Sequence, residues 1–183
     1  MPGVRKLELI SHGVTAALQA ARFPADEPHT PAGRAALADR AFEPPAGARV
    51  LVGPERRTSE TAEVLGLAAT PLTRLRDLDA GAWRGAEPGA LAPEQIRRWR
   101  TDPGFREHGG ESVLDLFERV RGWLAELAAA PAITTIAVTH PAVVRATLVL
   151  ALDAATESFW RIDVAPGSRT RLHHRDAWTL RLP

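Results

Sequence analysis

The chain of 183 residues contains no cysteine. This absence excludes disulfides, thiolate metal sites, iron–sulfur clusters and cysteine nucleophiles together. It is also compatible with a reducing compartment, and we therefore expect a cytoplasmic protein.

Long apolar runs and net charge are also lacking. The longest apolar segments, residues 133–139 and 143–152, fall short of the roughly 18 residues that a membrane span requires. The 23 lysines and arginines nearly balance the 22 aspartates and glutamates, which leaves a net charge of +1. No global field then attracts nucleic acid or an anionic membrane, so we expect neither as a partner, and any anion site must be local.

Several signatures of common enzyme classes are missing as well. The sequence has no H-E-x-x-H pair, and its spacing identifies no third residue that would complete a zinc site. It has no G-x-S-x-G elbow, no P-loop and no G-x-G-x-x-G fingerprint. We therefore predict no metal site and no cofactor.

Strands alternate with helices along the chain. The patterns predict strands at residues 7–10, 49–52 and 133–138, helices at residues 15–22, 58–65, 112–129 and 142–152, and two or three antiparallel strands within residues 160–180. Thr30 and Pro31 mark the start of a further helix, and Ser112 with Asp115 resembles a capping box. This order predicts one α/β domain over residues 1–183, with a mainly parallel central sheet and an antiparallel edge.

Two of the predicted strands end in a hydroxyl residue followed by a histidine. His12 follows the first strand in Ser11-His12-Gly13, and His140 follows another in Thr139-His140-Pro141. The carboxyl ends of parallel strands form the ligand crevice of an open α/β sheet, and helix N-termini there favour phosphate. We therefore predict His12 and His140 on adjacent strands, within about 8 Å of each other, around one anion.

The same motifs resemble a known family, the phosphoglycerate mutase-like branch of the histidine phosphatase superfamily. The matching segments are Ser11-His12-Gly13 with Thr15, the turn at residues 29–34, the blocks at residues 53–62 and 77–85, Gly110-Glu111-Ser112 and Val138-Thr139-His140. Each segment is weak alone, but they occur in the family's order along nearly the whole chain. The resemblance implies a three-layer α/β/α sandwich.

The resemblance also implies roles for individual residues. His12 would attack phosphorus and form a phosphohistidine, and His140 and Arg57 would bind the phosphoryl oxygens. Asp77 would protonate the leaving oxygen, a role that requires a raised pKa or an acidic leaving group because an ordinary aspartate titrates near ~3.9. Asp79 is a nearby rival for this role.

Four further residues are assigned to substrate binding through the same matches. They are Ser11, Gly13, Thr15 and Glu111. For Gly13 the absent side chain would let a ligand approach the backbone. For Glu111, stabilisation of a helix start competes evenly with a place in the pocket.

The sequence departs from the family pattern at three positions. Ser11 stands where the family has arginine, which removes a bidentate phosphate clamp. Leu18 replaces a common asparagine, and Gly53 replaces the usual serine. The residues that can supply a substitute charge are Arg22, Arg56 and Arg145.

Three functions are consistent with these residues. The first is a metal-independent phosphatase that acts on a small organic phosphate monoester through a phosphohistidine on His12. The second is a degenerate relative that binds a non-phosphate ligand, which Ser11 and Leu18 favour, and the third is a different reaction on the two histidines. All three imply a small-molecule partner, and a homodimer is left open.

Substrate specificity is expected in the loops at residues 23–29 and 86–109. Their neighbourhood contains side chains that either line a pocket or pack in the core, namely Trp83, Trp99, Phe105 and His108. For the tryptophans we favour packing.

Overall fold

A computed structural model of the chain describes residues 3–182 and contains one six-stranded mixed sheet. The strands are β1 (Arg5–Ser11), β2 (Arg49–Val52), β3 (Thr70–Pro71), β4 (Thr134–Thr139), β5 (Arg169–His174) and β6 (Trp178–Arg181). They lie in the order β3-β2-β4-β1-β5-β6. The first four are parallel, whereas β5 runs antiparallel to β1 and to β6, which confirms the predicted α/β sheet with an antiparallel edge.

Six helices connect these strands. They are α1 (Ala16–Gln19), α2 (Pro31–Ala38), α3 (Arg56–Val64), α4 (Pro93–Thr101), α5 (Val113–Ala129) and α6 (Pro141–Ala151). Short 3₁₀ turns lie at Thr73–Leu75, Gly81–Trp83, Pro88–Ala90 and Thr156–Arg161. The predicted N-cap at Thr30 is present, and its side chain accepts a hydrogen bond from the Gly33 amide.

The structure corrects the sequence prediction at four elements. The helix predicted at residues 15–22 is a single turn, and Ala21 beyond it has a left-handed φ of 50° that a helix does not accommodate. Trp160 lies in a 3₁₀ turn rather than in a strand. Neither β3 nor α4 was predicted, because β3 has only two residues and α4 has only two large apolar side chains, Ile96 and Trp99.

Both faces of the sheet carry an apolar core. Alternate residues of β1 point to opposite sides, so that Leu9 packs with residues of α5 and α6, whereas Ile10 packs with residues of α3. The parallel part of the sheet therefore lies between helices, as in a three-layer sandwich. Within residues 3–182, no helix has the length and apolar character needed to cross a bilayer.

The strand register places the functional residues at one edge of the sheet. Ser11 pairs with Thr139 across β1 and β4, and the ladder continues as the His12 amide donates to the Thr139 carbonyl oxygen at 2.9 Å. On the other side of β4, the Gly53 amide donates to Val138 at 2.9 Å. Three strand ends therefore meet side by side at the start of α3 and α6.

The capping box predicted at the start of α5 is present, and its hydrogen bonds are expected to stabilise the fold. The Ser112 hydroxyl accepts from the Asp115 amide, and the Asp115 carboxylate accepts from the Ser112 amide. Ser112→Ala removes one of these bonds, and we expect the free energy of unfolding in urea to fall by about 1 kcal/mol. The matched control is Ser59→Ala, at an exposed serine inside α3, which should cost less than about 0.5 kcal/mol. Equal losses in the two variants would contradict the capping role.

Candidate active site

His12 is held as a neutral imidazole at the end of β1. Its side chain is 6% exposed, and its Nδ1 lies 2.7 Å from the Gly13 carbonyl oxygen. Because a carbonyl oxygen only accepts hydrogen bonds, Nδ1 carries the proton and Nε2 keeps a free lone pair. Burial, together with the positive charges of His140 and Arg57, lowers the pKa of His12 to about 3. A neutral ring with a free nitrogen is the form that a nucleophile requires.

His140 lies beside His12, as the matched strand ends predicted. The ring centroids are 5.3 Å apart, and the planes meet at 62°. His140 is completely buried at the N-cap position of α6. Its Nε2 is 2.8 Å from a Glu55 carboxylate oxygen, while its Nδ1 is 3.4 Å from Asp77 Oδ2 and makes no hydrogen bond within residues 3–182. The two imidazoles are therefore close enough to contact one small anion.

Arg57 places a buried guanidinium next to the two histidines. It lies in the first turn of α3 and is 2% exposed. Its Nη2 donates to Asp77 Oδ2 at 2.7 Å, but Nε and Nη1 have no hydrogen-bond partner in the part of the chain that is described. Nη1 lies 3.9 Å from a carboxylate oxygen of Asp26. Buried donors without partners are costly, so this arrangement favours an anion as the missing acceptor.

Asp77 faces the site, but its electrostatics differ from the sequence expectation. Burial alone would raise its pKa, yet the nearby charges of His140 and Arg57 outweigh burial and lower the pKa to about 2. The raised pKa that a proton donor needs is therefore absent while Asp77 pairs with Arg57. Its rival Asp79 caps the Gly81 amide and pairs with Arg84 on the surface, so it makes no contact with the histidines.

Thr61 holds the nucleophile loop against α3, and sequence reasoning missed it. Its hydroxyl accepts from the Gly13 amide at 3.0 Å and donates to the Arg57 carbonyl oxygen at 2.7 Å. The hydroxyl oxygen of Thr61 also lies 2.9 Å from His29 Nε2, and because its own proton goes to Arg57, His29 must be the donor. The signal was available, because Thr61 stands one turn after Arg57 on the same helix face.

Gly13 is packed closely by neighbouring side chains, and its contact with a ligand stays a prediction. A Cβ at this position would lie 2.5 Å from Leu37 Cδ1 and 3.1 Å from His29 Nε2. The absence of a side chain therefore admits α2 and His29, and the residue is not among those that line the cavity described below.

Of two other residues predicted to contact the substrate, one lines the cavity and the other does not. Thr15 lines the cavity, although its hydroxyl already caps α1 by accepting from the Leu18 amide. Ser11 is completely buried, lies outside the cavity lining, and its hydroxyl has no partner among the described residues. The binding role of Ser11 thus stays a prediction.

Glu111 has a structural partner rather than a place in the cavity. Its two oxygens accept from Arg119 at 2.7 and 2.9 Å, and Arg76 adds a bond at 3.0 Å. Arg119 in turn donates to the carbonyl oxygens of Arg74, Arg76 and Asp77. The ion pair therefore fixes the backbone that carries Asp77, and direct substrate binding by Glu111 finds no support in these contacts.

A cavity of about 680 Å³ opens beside His12 and Asp77. Trp99 lines it and also packs against an aromatic cluster, in which Trp83 is buried as expected and which includes Phe105. Of the three arginines proposed to supply the missing charge, Arg22 and Arg145 line the cavity.

The third arginine, Arg56, is tied to Glu60 on the surface of α3, at 2.7 Å, and lies outside the cavity. Arg145 is anchored through Nε to the Ile162 carbonyl oxygen at 2.8 Å. Residues 3–182 contain no group of three histidine or acidic side chains arranged to hold a metal ion. The side chains at this edge that can bind an anion include those of Arg57, Arg145 and the two histidines.

Comparison with known proteins gives a consistent result for the whole chain. The family model described as histidine phosphatase superfamily (branch 1) matches residues 7–182. A bifunctional protein of Mycobacterium tuberculosis is 32% identical over 145 residues, which cover 74% of this chain and 40% of that protein. Glucosyl-3-phosphoglycerate phosphatase of the same organism is 41% identical over 81 residues, or 40% of this chain and 36% of that protein. The chain thus spans about two fifths of the length of the curated relatives that it matches.

Solved structures resemble the chain over almost its entire length. The structure of mycobacterial glucosyl-3-phosphoglycerate phosphatase in complex with VO3 superposes with a TM-score of 0.82 at 28% identity, covering 97% of this chain and 98% of that chain. A structure named mycobacterial hydrolase 1 superposes with a TM-score of 0.81 at 26% identity, covering 98% and 97%. The sheet and its helices are therefore those of phosphatase structures of this family.

The lowered pKa of His12 predicts how stability depends on pH. Below its ordinary value of 6.5 the unfolded chain takes up a proton on this residue, while the folded protein does not until about pH 3. Stability must therefore fall as the pH drops, by about 2 kcal/mol between pH 7 and pH 5 for one such residue. We expect His12→Asn to remove this share, so that its free energy of unfolding in urea falls less over that interval than that of the wild type. Parallel curves for the two proteins would show that His12 is not held neutral.

Proposed function

This chain belongs to the histidine phosphatase superfamily, branch 1, and on that premise we propose that it is a metal-independent phosphatase for a small organic phosphate monoester. The observation that carries the proposal is the pairing of a neutral, buried His12 with the unpartnered donors of Arg57. One group is suited to attack phosphorus, and the other is suited to bind its oxygens.

The first step transfers the phosphoryl group to His12. The lone pair on Nε2 attacks phosphorus in line, a P–N bond forms, and the ester P–O bond breaks. Negative charge on the equatorial oxygens is stabilised by Arg57 and by the Nδ1 side of His140. Water then attacks the phosphohistidine, inorganic phosphate leaves, and His12 returns to its neutral form.

The ion pair between Arg57 and Asp77 explains how a carboxylate with a low pKa acts as a proton donor. A bound phosphoryl group competes with Asp77 for Nη2 of Arg57 and brings negative charge close to the carboxylate. Loss of a cation and gain of an anion both raise the pKa of a carboxyl group. Substrate binding thus prepares Asp77 to protonate the leaving oxygen and then to accept a proton from the attacking water.

A repurposed site for a non-phosphate ligand is the second candidate. Ser11 supports it, because its buried hydroxyl lacks a partner among the described residues and brings none of the charge that an arginine would. In that case His12 and His140 are polar contacts, and no covalent intermediate forms.

The role of His12 separates these two candidates. His12→Asn should reduce hydrolysis of a generic aryl phosphate to less than about 10⁻³ of the wild-type rate and abolish the acid-labile phosphoprotein trapped from labelled substrate. The control is His173→Asn, a histidine on β5 away from the cavity, which should keep both signals.

Metal independence is tested in the same assay. Turnover by the wild type should survive EDTA, because arginine and histidine side chains supply the charges. Loss of activity on chelation that a divalent ion restores would contradict this part of the proposal. A wild type with neither turnover nor trapped phosphoprotein would favour the non-phosphate ligand.

A further inference from the structure

The lining of the cavity is mainly apolar, which bears on the substrate of the proposed phosphatase. Besides His12, its polar residues are the charged Arg22, Glu27, Asp77, Arg145 and Asp163, together with Thr15. Thr15 is the one uncharged hydroxyl or amide side chain among the described lining residues, and its oxygen already accepts from the Leu18 amide. A leaving group with many hydroxyls would therefore lose hydrogen bonds to water that this lining does not replace.

Leu18 is the clearest indication that this cavity binds an apolar group. Its side chain lies on the cavity wall and is still 43% exposed. It stands at the position where the resemblance gives asparagine, so an amide that would bind a polar group is replaced by a hydrocarbon. Covering this side chain with an apolar group is favourable, at about 25 cal/mol for each Å² removed from water.

Aromatic rings form another wall of the same cavity. Trp99 and Trp160 meet with centroids 4.4 Å apart, Phe159 packs on Trp160 at 4.8 Å, and Phe23 packs on Trp99 at 5.2 Å. All four residues line the cavity. Rings at such separations favour a further planar group in an offset or edge-to-face contact.

Resting on the proposed function, we infer that the natural substrate is a phosphate monoester of a bulky aromatic alcohol or phenol. The phosphoryl group binds at Arg57 and His140, and the ring system occupies the space between Leu18 and Trp99. Hydrolysis breaks the P–O bond to the aromatic alcohol, which leaves with the proton that Asp77 supplies, and water provides the oxygen of the released phosphate.

The test compares kcat/KM for 2-naphthyl phosphate, phenyl phosphate and glycerol 3-phosphate. Naphthol and phenol are leaving groups of similar acidity, so their ratio reports mainly on contacts with the second ring. We expect the naphthyl ester to exceed the phenyl ester by about tenfold, and glycerol 3-phosphate to be the poorest of the three. Leu18→Asn and Trp99→Ala should each lower the naphthyl-to-phenyl ratio, whereas Leu152→Asn, at an exposed leucine outside the cavity, should leave that ratio unchanged.

The outcomes separate this inference from the proposed function. Hydrolysis of phenyl phosphate with a naphthyl-to-phenyl ratio of one or less, or a preference for glycerol 3-phosphate, would overturn the aromatic substrate and leave the phosphatase standing. Absence of turnover on all three esters, with no trapped phosphoprotein, would overturn the proposed function itself.

A second and independent observation concerns Glu55. It is the N-cap residue of α3, but its side chain makes no cap hydrogen bond. One carboxylate oxygen instead accepts from His140 Nε2 at 2.8 Å, and the other accepts from the Asp77 amide at 2.9 Å. A single carboxylate therefore ties together the second histidine and the loop that carries the acidic residue.

Gly53 makes room for this contact. A Cβ at position 53 would lie 2.9 Å from the Leu75 carbonyl oxygen, 3.1 Å from His140 Nε2 and 3.2 Å from the Glu55 carboxylate, closer than most side-chain contacts allow. The serine that the resemblance gives at this position would thus crowd the Leu75 backbone as well as the pair of Glu55 and His140.

We propose that Glu55 is a positioning residue for phosphoryl transfer. By accepting a hydrogen bond from Nε2, it fixes the ring so that Nδ1 faces Asp77 next to His12. The groups that face His140 are Glu55 from the start of α3, Asp77 from the loop after the 3₁₀ turn Thr73–Leu75, and His12 from the end of β1.

Glu55→Gln tests this role, because the amide keeps the size and an acceptor oxygen but not the charge. We expect kcat on phenyl phosphate to fall by about tenfold with a small change in KM, because a neutral amide holds the ring less firmly than a carboxylate does. Glu55→Asp should recover part of the loss, and Glu63→Gln, on an exposed position of the same helix, should match the wild type. A Glu55→Gln enzyme with unchanged kcat would overturn the proposal.

Discussion

The buried guanidinium of Arg57 is the constraint around which the rest of the site is arranged. A cation that is 2% exposed must find compensating partners, and this one has a single hydrogen-bonded carboxylate, that of Asp77. Two of its nitrogens still lack an acceptor among the described residues. The site is therefore incomplete in a specific way, because an anion of tetrahedral shape satisfies donors that the protein leaves unpaired.

Several distant contacts serve to hold this arrangement in place. Thr61 joins the loop after His12 to the helix that carries Arg57. Arg119, which pairs with Glu111, donates a hydrogen bond to the backbone carbonyl oxygen of Asp77. Each contact joins two segments far apart in sequence. The segments that resemble the family therefore contact one another around His12, Arg57 and Asp77, and only some of their residues face the site.

How much of this site the sequence predicts depends on how far apart in sequence the interacting residues lie. The two histidines were predicted because strand ends carry a local pattern and the parallel register brings those ends together. The start of α5 was predicted because a capping box spans four residues. Glu55 was missed, because its partner His140 lies 85 residues away and no local pattern records the contact. Thr61 was missed although it stands one turn after Arg57, because its contact with Gly13 spans 48 residues. The neighbours that require a glycine at position 13 likewise come from other segments.

The departures from the family pattern have different explanations. Gly53 is accounted for by the close approach of the Leu75 backbone, His140 and Glu55, and Leu18 matches the apolar lining of the cavity. Nothing in the structure explains Ser11, whose hydroxyl is buried without a partner among residues 3–182. The chain therefore keeps the two histidines and the arginine together, while the residues around them differ from the family pattern in charge and polarity.

Titration with orthovanadate tests the central claim most directly, because its trigonal bipyramidal form resembles the transition state of phosphoryl transfer. The account predicts that the wild type binds one vanadate per chain. Arg57→Lys, which keeps the charge but loses the planar fork, should bind it at least about tenfold more weakly, and His12→Asn should lose the covalently held form. Equal affinity in the wild type and Arg57→Lys, measured on folded proteins, would contradict the claim that the unpaired guanidinium defines the site.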